Sequence, residues 1–499
     1  MTQKKIEIFL LAAVIVVAVF LRFWQIRNYV VFLGDEGRDM IVMREMIREK
    51  RPTFLGPTAS VGGFYLGPIY YWMAAPFLLL WRFDPVGPAY FVAAIGVATV
   101  ILLYKFIKDA VGFWPAILAS SLYATAPLIL RYSRSSWNPN PLPFFALLLI
   151  YFLYLGIKKQ KFIHFLLAGA AFGVCIQLHY LATILLAIAA PVVIVNTNFR
   201  KWPLFFILAS SGFLITFAPF LLFEIKNGFP NFQTIAEFVT RGTTVGYKST
   251  NYFWIIANVG NIFLEFLTKI NGTAVTRIIF WALTASGIYG LVKFWQNPDK
   301  KLIFTIGVIW FIGGLAGLRF YTGQIFDYYF GFMFPAPFLL AGLTVSLVWF
   351  QKAARIATVA TTVAAIIFFI NNSPLRFPSN RLIDQTANVA DFLIEQSGGE
   401  PFNFGLITDS NSDHAYRYFL DVKGAKSVEL ETLVTEQLMV VCESQKCAPL
   451  GHPIWEIAGF GRAEIAGEWY LENIGIKVFR LTHWPGAPNP AGKPAGKGG

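Results

Sequence analysis

The sequence predicts an all-α polytopic membrane protein of about eleven transmembrane helices with interfacial helices between them, followed by a small α/β domain at its C-terminal end. Three observations carry this. Hydrophobic residues fill 56% of 499 positions, charged residues only 14%, and the mean hydropathy is +0.56, an apolar share too large to be hidden in a soluble core. Lysine-rich short loops recur between apolar runs: Lys105 with Lys108, Lys158-Lys159-Gln160-Lys161, Arg200-Lys201, Lys293 with Lys300-Lys301, and Lys352 with Arg355. From about Pro374 onward the composition becomes that of a soluble module. The net charge of +13 divides between those loops and scattered arginines, so it is no sign of a nucleic-acid partner.

The elements follow in order. Lys4 and Lys5 precede an apolar run to Trp24 with no small-residue cleavage site after it, which reads as an uncleaved anchor whose N-terminus is cytoplasmic. A long outward loop, about 25–85, comes next. In it Met40, Met43, Met46 and Ile47 form one helical stripe opposite Arg44, Glu45, Arg48 and Glu49, the pattern of an amphipathic helix lying in the membrane interface. The apolar run 69–81 is short for a crossing, and an interfacial or re-entrant helix is expected there. Spans at 86–104, 113–130, 142–157, 162–178, 181–195, 203–223, 278–294, 302–319, 329–348 and 355–370 then place every lysine-rich loop on one side, with 252–268 either interfacial or a short span and 224–251 a polar loop. Counting 69–81 as a crossing breaks that agreement. The expected domains are therefore 1–373 in the membrane, 374–484 as an extracytoplasmic α/β domain, and a Pro/Gly-rich tail, 485–499, that cannot form a core and is expected to be disordered. In the α/β domain, 404–408, 438–442 and 476–481 read as strands, and 383–396 and 413–420 as helices. Three cysteines make no disulfide framework, but Cys442 and Cys447 are spaced for a short-loop bridge; no further Cys or spaced His completes a metal site.

Under this topology the polar clusters collect at one membrane face: Asp35-Glu36 with Arg38, then Arg131, Arg134, Asn138 and Asn140, then His179, Glu224, Arg319, and Asp327-Tyr328-Tyr329. Ionisable groups at span ends from several loops suggest a site with a membrane-facing side. Adjacent carboxylates can act as a general base and its orienting partner, or hold a divalent cation such as Mg or Mn. Arginines can neutralise a phosphate through paired donors. Each cluster has a plainer reading: Arg131 and Arg134 as interfacial snorkelers, His179 as a packing histidine, Glu224 as a cap on the polar segment after it.

These residues resemble a known family, the GT-C glycosyltransferases, and within it the polyprenyl- or dolichyl-phosphate-sugar enzymes of the protein-mannosyltransferase and aminoarabinose-transferase type. The resemblance lies in Asp35-Glu36-x-Arg38 after the first span, in Gly67-Pro68-Ile69-Tyr70-Tyr71-Trp72, in Asn140-Pro141, in Pro219 and Pro230-Asn231-Phe232, and in Tyr328-Tyr329-Phe330 ahead of Phe334-Pro335, over roughly residues 1–350. It implies a GT-C fold and transfer of a sugar from a polyprenyl-phosphate donor to a lipid, glycan or protein acceptor outside the cytoplasm. It further implies Asp35 and Glu36 as catalytic carboxylates and Arg38 on the lipid phosphate; from the polar clusters at the same face, Arg131, Arg134, Asn138, Asn140, His179, Asp327, Tyr328 and Tyr329 are the expected substrate-binding residues. Two departures bear on a metal: Leu66-Gly67 stand where relatives often carry a carboxylate, and Asn140 stands where they often carry Asp, so no tightly bound metal is expected. The rival classes are a transporter or lipid flippase, which would need mid-bilayer charges or two repeated halves, and a surface-glycan polymerase or ligase.

Overall fold

A computed structural model describes residues 2–59, 62–241, 252–270, 272–321, 323–444, 446–486 and 490–495. Parts of the expected polar loop (242–251) and of the tail (487–489 and 496–499) lie outside the described residues. The chain divides into two compact units, and the division does not follow the linear boundary expected at 373. One unit comprises Met1–Ile26, Pro52–Phe77 and Pro88–Ser379; the other comprises Arg27–Arg51, Leu78–Gly87 and Asn380–Gly499.

The first unit is helical. Among the described residues seven helices are long and apolar enough to cross a membrane, eight when Asp327–Met333 and Ala336–Val348, bent by 51°, are taken as one span. The first, Gln3–Phe23, buries only Ala18, Leu21 and Arg22, while Ile8, Phe9, Val16 and Phe20 are exposed. Such an apolar surface along the whole helix needs hydrocarbon around it. Four shorter apolar helices account for part of the larger expected count: Ile69–Leu80, Ile163–Leu178, Tyr180–Asn196 and Ile256–Thr268. The twelve residues of Ile69–Leu80 reach roughly 18 Å, well short of a hydrocarbon core of about 30 Å. The expected span 113–130 is two helices, Phe113–Thr125 and Pro127–Tyr132, because Pro127 has no N–H to continue the ladder. Helices Ile163–Leu178 and Trp202–Asn227 approach closely through glycine: a Cβ on Gly169 would lie 1.8 Å from the Ala209 carbonyl oxygen, and one on Gly212 1.9 Å from that of Leu166. Small residues at the crossing let two membrane helices gain dispersion contact in place of a hydrophobic drive.

The second unit is built on a four-stranded sheet: β1 (Asn403–Ile407), β2 (Gln437–Cys442), β3 (Ala463–Leu471) and β4 (Ile476–His483), in the order β1-β2-β4-β3. β1 and β2 are parallel, with Leu406 opposite Val441, and the other two pairings are antiparallel. Every residue of β1 and β2 is buried: each is an apolar run after one polar residue, Asn403 or Gln437, as a covered parallel pair should be. Helices Leu382–Gln396 and His414–Val422 lie close to the expected positions. β3 was not predicted; an irregularity between Ile465 and Gly467 breaks the alternation by which a strand is recognised. Cys442 and Cys447 form a disulfide. The tail departs from expectation: Gly492 N–H donates to Val434 O (2.9 Å), Val434 N–H to Lys493 O (2.8 Å) and Ala495 N–H to Leu430 O (3.1 Å), so 490–495 is held by backbone pairing that its composition does not advertise.

The first-loop helix, Gly34–Glu49, is part of this second unit and packs on His414–Val422. The stripe expected to face the membrane interface is covered here by protein. Met40 and Met43 are fully buried, and a protein face takes the role expected of lipid. Phe32 meets Tyr418 and Phe419 edge-on at 6.1 and 5.5 Å, Arg27 bonds Asp384 (2.8 Å), Arg44 pairs with Asp421, and Tyr418 donates to Phe83 O (2.5 Å).

Candidate active site

In the second unit the chemistry gathers at the first turn of Gly34–Glu49. Gly34 and Gly37 let this turn sit against the 411–415 backbone: a Cβ on Gly34 would lie 1.9 Å from Ser412 Oγ, and one on Gly37 2.3 Å from Ala415 N. Asp35 and Glu36 are neighbours in sequence but, about 100° apart on the helix, they meet different surroundings. The Asp35 side chain is 53% exposed and accepts from Arg38 Nη1 at 3.0 Å. Glu36 is only 6% exposed and turns back to accept from the Leu33 N–H at 3.0 Å. Burial pushes the Glu36 carboxyl up to about 8; backbone N–H bonds from Leu33 and Glu36 itself oppose this, and the charges of Asp35 and Asp39 add to it.

Arg38 is engaged on two sides, since its Nη2 and Nε also donate to Asp39 Oδ1 at 2.9 and 3.2 Å, and the Asp39 side chain is wholly buried. The resemblance put Arg38 on a lipid phosphate; in this structure it joins two carboxylates. Asp39 was missed as a member of the site, although the spacing Asp35, Arg38, Asp39 (i, i+3, i+4) was there to be read as one helical face. Asp35 is directed at Arg38 and Glu36 at a backbone amide, so the two carboxylates point to different partners. Among the described residues no group of three or more His, Cys, Asp or Glu is placed to hold a metal ion.

In the membrane unit the predicted residues separate into two kinds. Arg134 is buried and donates to the Leu21 and Trp24 carbonyls at 2.6 and 2.8 Å, neutralising the C-terminal end of the first span. Asn138 Nδ2 donates to Leu178 O (2.9 Å) and Asn140 Nδ2 to Ser135 O (2.6 Å), so both fix loop backbone. Glu224 is buried and takes the cap role, accepting from Asn231 N and Phe232 N (3.1 Å each) and Asn231 Nδ2 (2.6 Å) at the start of Pro230–Arg241. The other residues form a wall. Tyr328 meets Trp137 at 4.6 Å, His179 at 5.7 Å and Tyr329 at 4.7 Å, and Asp327 beside it accepts from Tyr132 and from the exposed Arg131 (3.3 Å). His179 Nδ1 accepts from the Leu181 N–H (3.2 Å), which fixes a neutral tautomer and the ring's direction.

The Gly/Pro-rich segment is tied to this wall's loop by Tyr70 OH and Ser136 Oγ, 2.7 Å apart. At Gly67 a Cβ would lie 2.3 Å from Gln177 Cγ, so the place where relatives of the resembled type often carry an acid near Pro68 is packed by a glutamine, itself donating to Gly173 O and Thr216 O. Nothing in the sequence marked Gln177, a polar residue inside an apolar run.

Residues 66–223, less than half of the chain, match the family described as dolichyl-phosphate-mannose-protein mannosyltransferase. No curated protein sequence matches the chain. Among solved structures, ArnT from Cupriavidus metallidurans bound to undecaprenyl phosphate is similar with a TM-score of 0.60 at 12% identity, over 96% of this chain and 98% of that one. The archaeal oligosaccharyltransferase AglB from Archaeoglobus fulgidus, in complex with an inhibitory peptide and a dolichol-phosphate, is similar with a TM-score of 0.55 at 14% identity, over 86% of this chain and 64% of that one. At such identities the likeness carries architecture. The chain is a multi-pass membrane protein whose fold is shared with ArnT and AglB, and through residues 66–223 it is similar to the dolichyl-phosphate-mannose-protein mannosyltransferases.

Proposed function

We propose that the protein is a membrane glycosyltransferase that takes a sugar from a polyprenyl-phosphate donor and passes it to a lipid, glycan or protein acceptor outside the cytoplasm. The observation that carries this reading is Asp35: an exposed carboxyl on the first turn of a helix, paired with Arg38, in a fold shared along nearly the whole chain with ArnT bound to undecaprenyl phosphate. In a single displacement the acceptor hydroxyl attacks the anomeric carbon and its proton passes to Asp35. The sugar–phosphate bond breaks with inversion, and the negative charge stays on the polyprenyl phosphate. Glu36, nearly buried and accepting from the Leu33 N–H, is the less accessible of the two carboxyls and holds the turn. Within the membrane unit taken by itself, the face of Trp137, His179, Tyr328 and Tyr329 has apolar area and tyrosine hydroxyls of the kind that bind a pyranose, and Arg131, more than half exposed, is the predicted arginine there best able to meet a phosphate.

The test is transfer of label from a radiolabelled polyprenyl-phosphate mannose into the lipid, glycan and protein fractions of membranes carrying the protein. Asp35→Asn, which keeps the shape and removes the base, should lower turnover by roughly 10²–10⁴-fold with donor binding little changed. Wild-type turnover in that variant removes Asp35 from the reaction. Movement of lipid across vesicles with no sugar transfer would favour a transporter.

The sidedness follows the same reading, with the N-terminus cytoplasmic. Residue 35 and residue 410 belong to one compact unit, which supports placing both on the same side, and the lysines at 158, 159 and 161 are expected inside, opposite to them. Single cysteines at 35 and 410 should react with an impermeant reagent from one side and a cysteine at 160 from the other; labelling of 35 and 410 from opposite sides would refute it.

A further inference from the structure

The turn that carries Asp35 is pinned at two successive amides. The Leu33 N–H goes to Glu36 within the helix, as described above. The Gly34 N–H goes out of it, to Asn411 Oδ1 at 2.9 Å, a residue 377 positions later in the chain. Asn411 lies in the loop between β1 and the helix His414–Val422. Its Oδ1 also accepts from the Ser412 N–H at 2.8 Å, so the oxygen faces two amide donors. Its Nδ2 faces the opposite way, 3.2 Å from both carboxylate oxygens of Glu443. A carboxylate only accepts, so Glu443 fixes which end of the amide points to Gly34. Glu443 is held in turn by Tyr416 OH (2.7 Å) and Thr408 Oγ1 (3.0 Å). The result is a chain of donors and acceptors from the buried helix face at Tyr416, through Glu443 and Asn411, to the first amide of the helix bearing the acidic pair.

From this we infer that Asn411, oriented by Glu443, is a positioning residue for Asp35, so that the C-terminal domain sets the direction of the catalytic carboxylate. The inference rests on the reading of Asp35 as the base. The close approach at Gly34 and Gly37 leaves this contact no slack, since any side chain at Gly34 would meet Ser412. A displacement of the base by about 1 Å is enough to cost on the order of 10²-fold in rate.

The experiment uses the full-length protein in nanodiscs, with two readouts: sugar transfer from polyprenyl-phosphate mannose, and amide exchange at 33–37. Asn411→Asp keeps an oxygen for Gly34 but sets a second carboxylate against Glu443. It is expected to lower kcat roughly 10–100-fold, leave the donor KM unchanged and speed exchange at Gly34. Adding Glu443→Gln gives the introduced carboxylate an amide donor again and should restore both readouts, which a loss of folding would not allow. The inference is overturned if Asn411→Asp and Asn411→Ala leave kcat and Gly34 exchange as in the wild type, or if the double variant restores neither. Wild-type turnover in Asp35→Asn would overturn the underlying reading instead, and the exchange readout would still decide whether Asn411 holds the turn.

Discussion

Glu36 should make the first turn of its helix sensitive to pH, and the size of the effect can be worked from its surroundings. The carboxyl is nearly inaccessible, and burial raises it from 4.5 to about 8. The unfolded or locally opened segment loses its proton near 4.5, while the packed segment keeps it until about 8. Between those values the packed state binds the extra proton, so its stability falls as pH rises and levels off above 8. At 1.36 kcal/mol for each pH unit the full loss is about 5 kcal/mol, an order-of-magnitude figure. Glu36→Gln keeps an oxygen for the Leu33 N–H and removes the titration. The assay is amide exchange at 33–40 in wild type and variant from pH 5 to 9, corrected for the intrinsic dependence of exchange on pH. Protection in the wild type should decline relative to the variant across this range by an amount of that order, and the two should converge at pH 5. Parallel profiles would show that the carboxyl is hydrated, and the assignment of Glu36 as an uncharged group would fall with them.

Other expectations follow from the same contacts. Arg38→Ala removes the cation from a buried Asp39, a change that costs about 3–5 kcal/mol when one partner of a buried pair is lost; local exchange across Gly34–Glu49 should rise sharply, and a variant that loses only donor affinity would return Arg38 to the phosphate. A 380–495 fragment lacks the segment that covers Phe419 and Ala415 and should melt without cooperativity or aggregate, whereas the same fragment with 27–51 joined to it should be better ordered; cooperative melting of the shorter piece would restore the separable domain expected from sequence.

Legibility in the sequence tracked the range of the interaction responsible. Membrane character and the two helices of the α/β domain rest on composition and short periods, and the helices lie within two residues of their expected ends. The acidic pair was legible as chemistry, because two adjacent carboxylates beside an arginine stand out in an apolar chain. What each carboxylate does was not legible. Residues 35 and 36 are as close as two residues can be, yet one points outward at Arg38 and the other into a packed face, and that difference comes from partners elsewhere in the fold.

The same holds for the stripe of Met40 and Met43. An amphipathic pattern specifies that an apolar face must be covered and says nothing of what covers it. Lipid was the economical reading for a helix next to a span. The cover instead comes from a helix beginning at His414, and two glycines, at 34 and 37, are what bring the backbones close enough for Asn411 to reach an amide of the acidic turn. A glycine in a helical pattern reads locally as a weakness of about 1 kcal/mol. Here the weakness has a reason that only the tertiary structure supplies: the carboxylate proposed as the base is stationed by a domain that lies, in sequence, beyond every span. A domain outside the membrane part can thus bear on the chemistry without contributing a reacting group, through the placement of one amide oxygen.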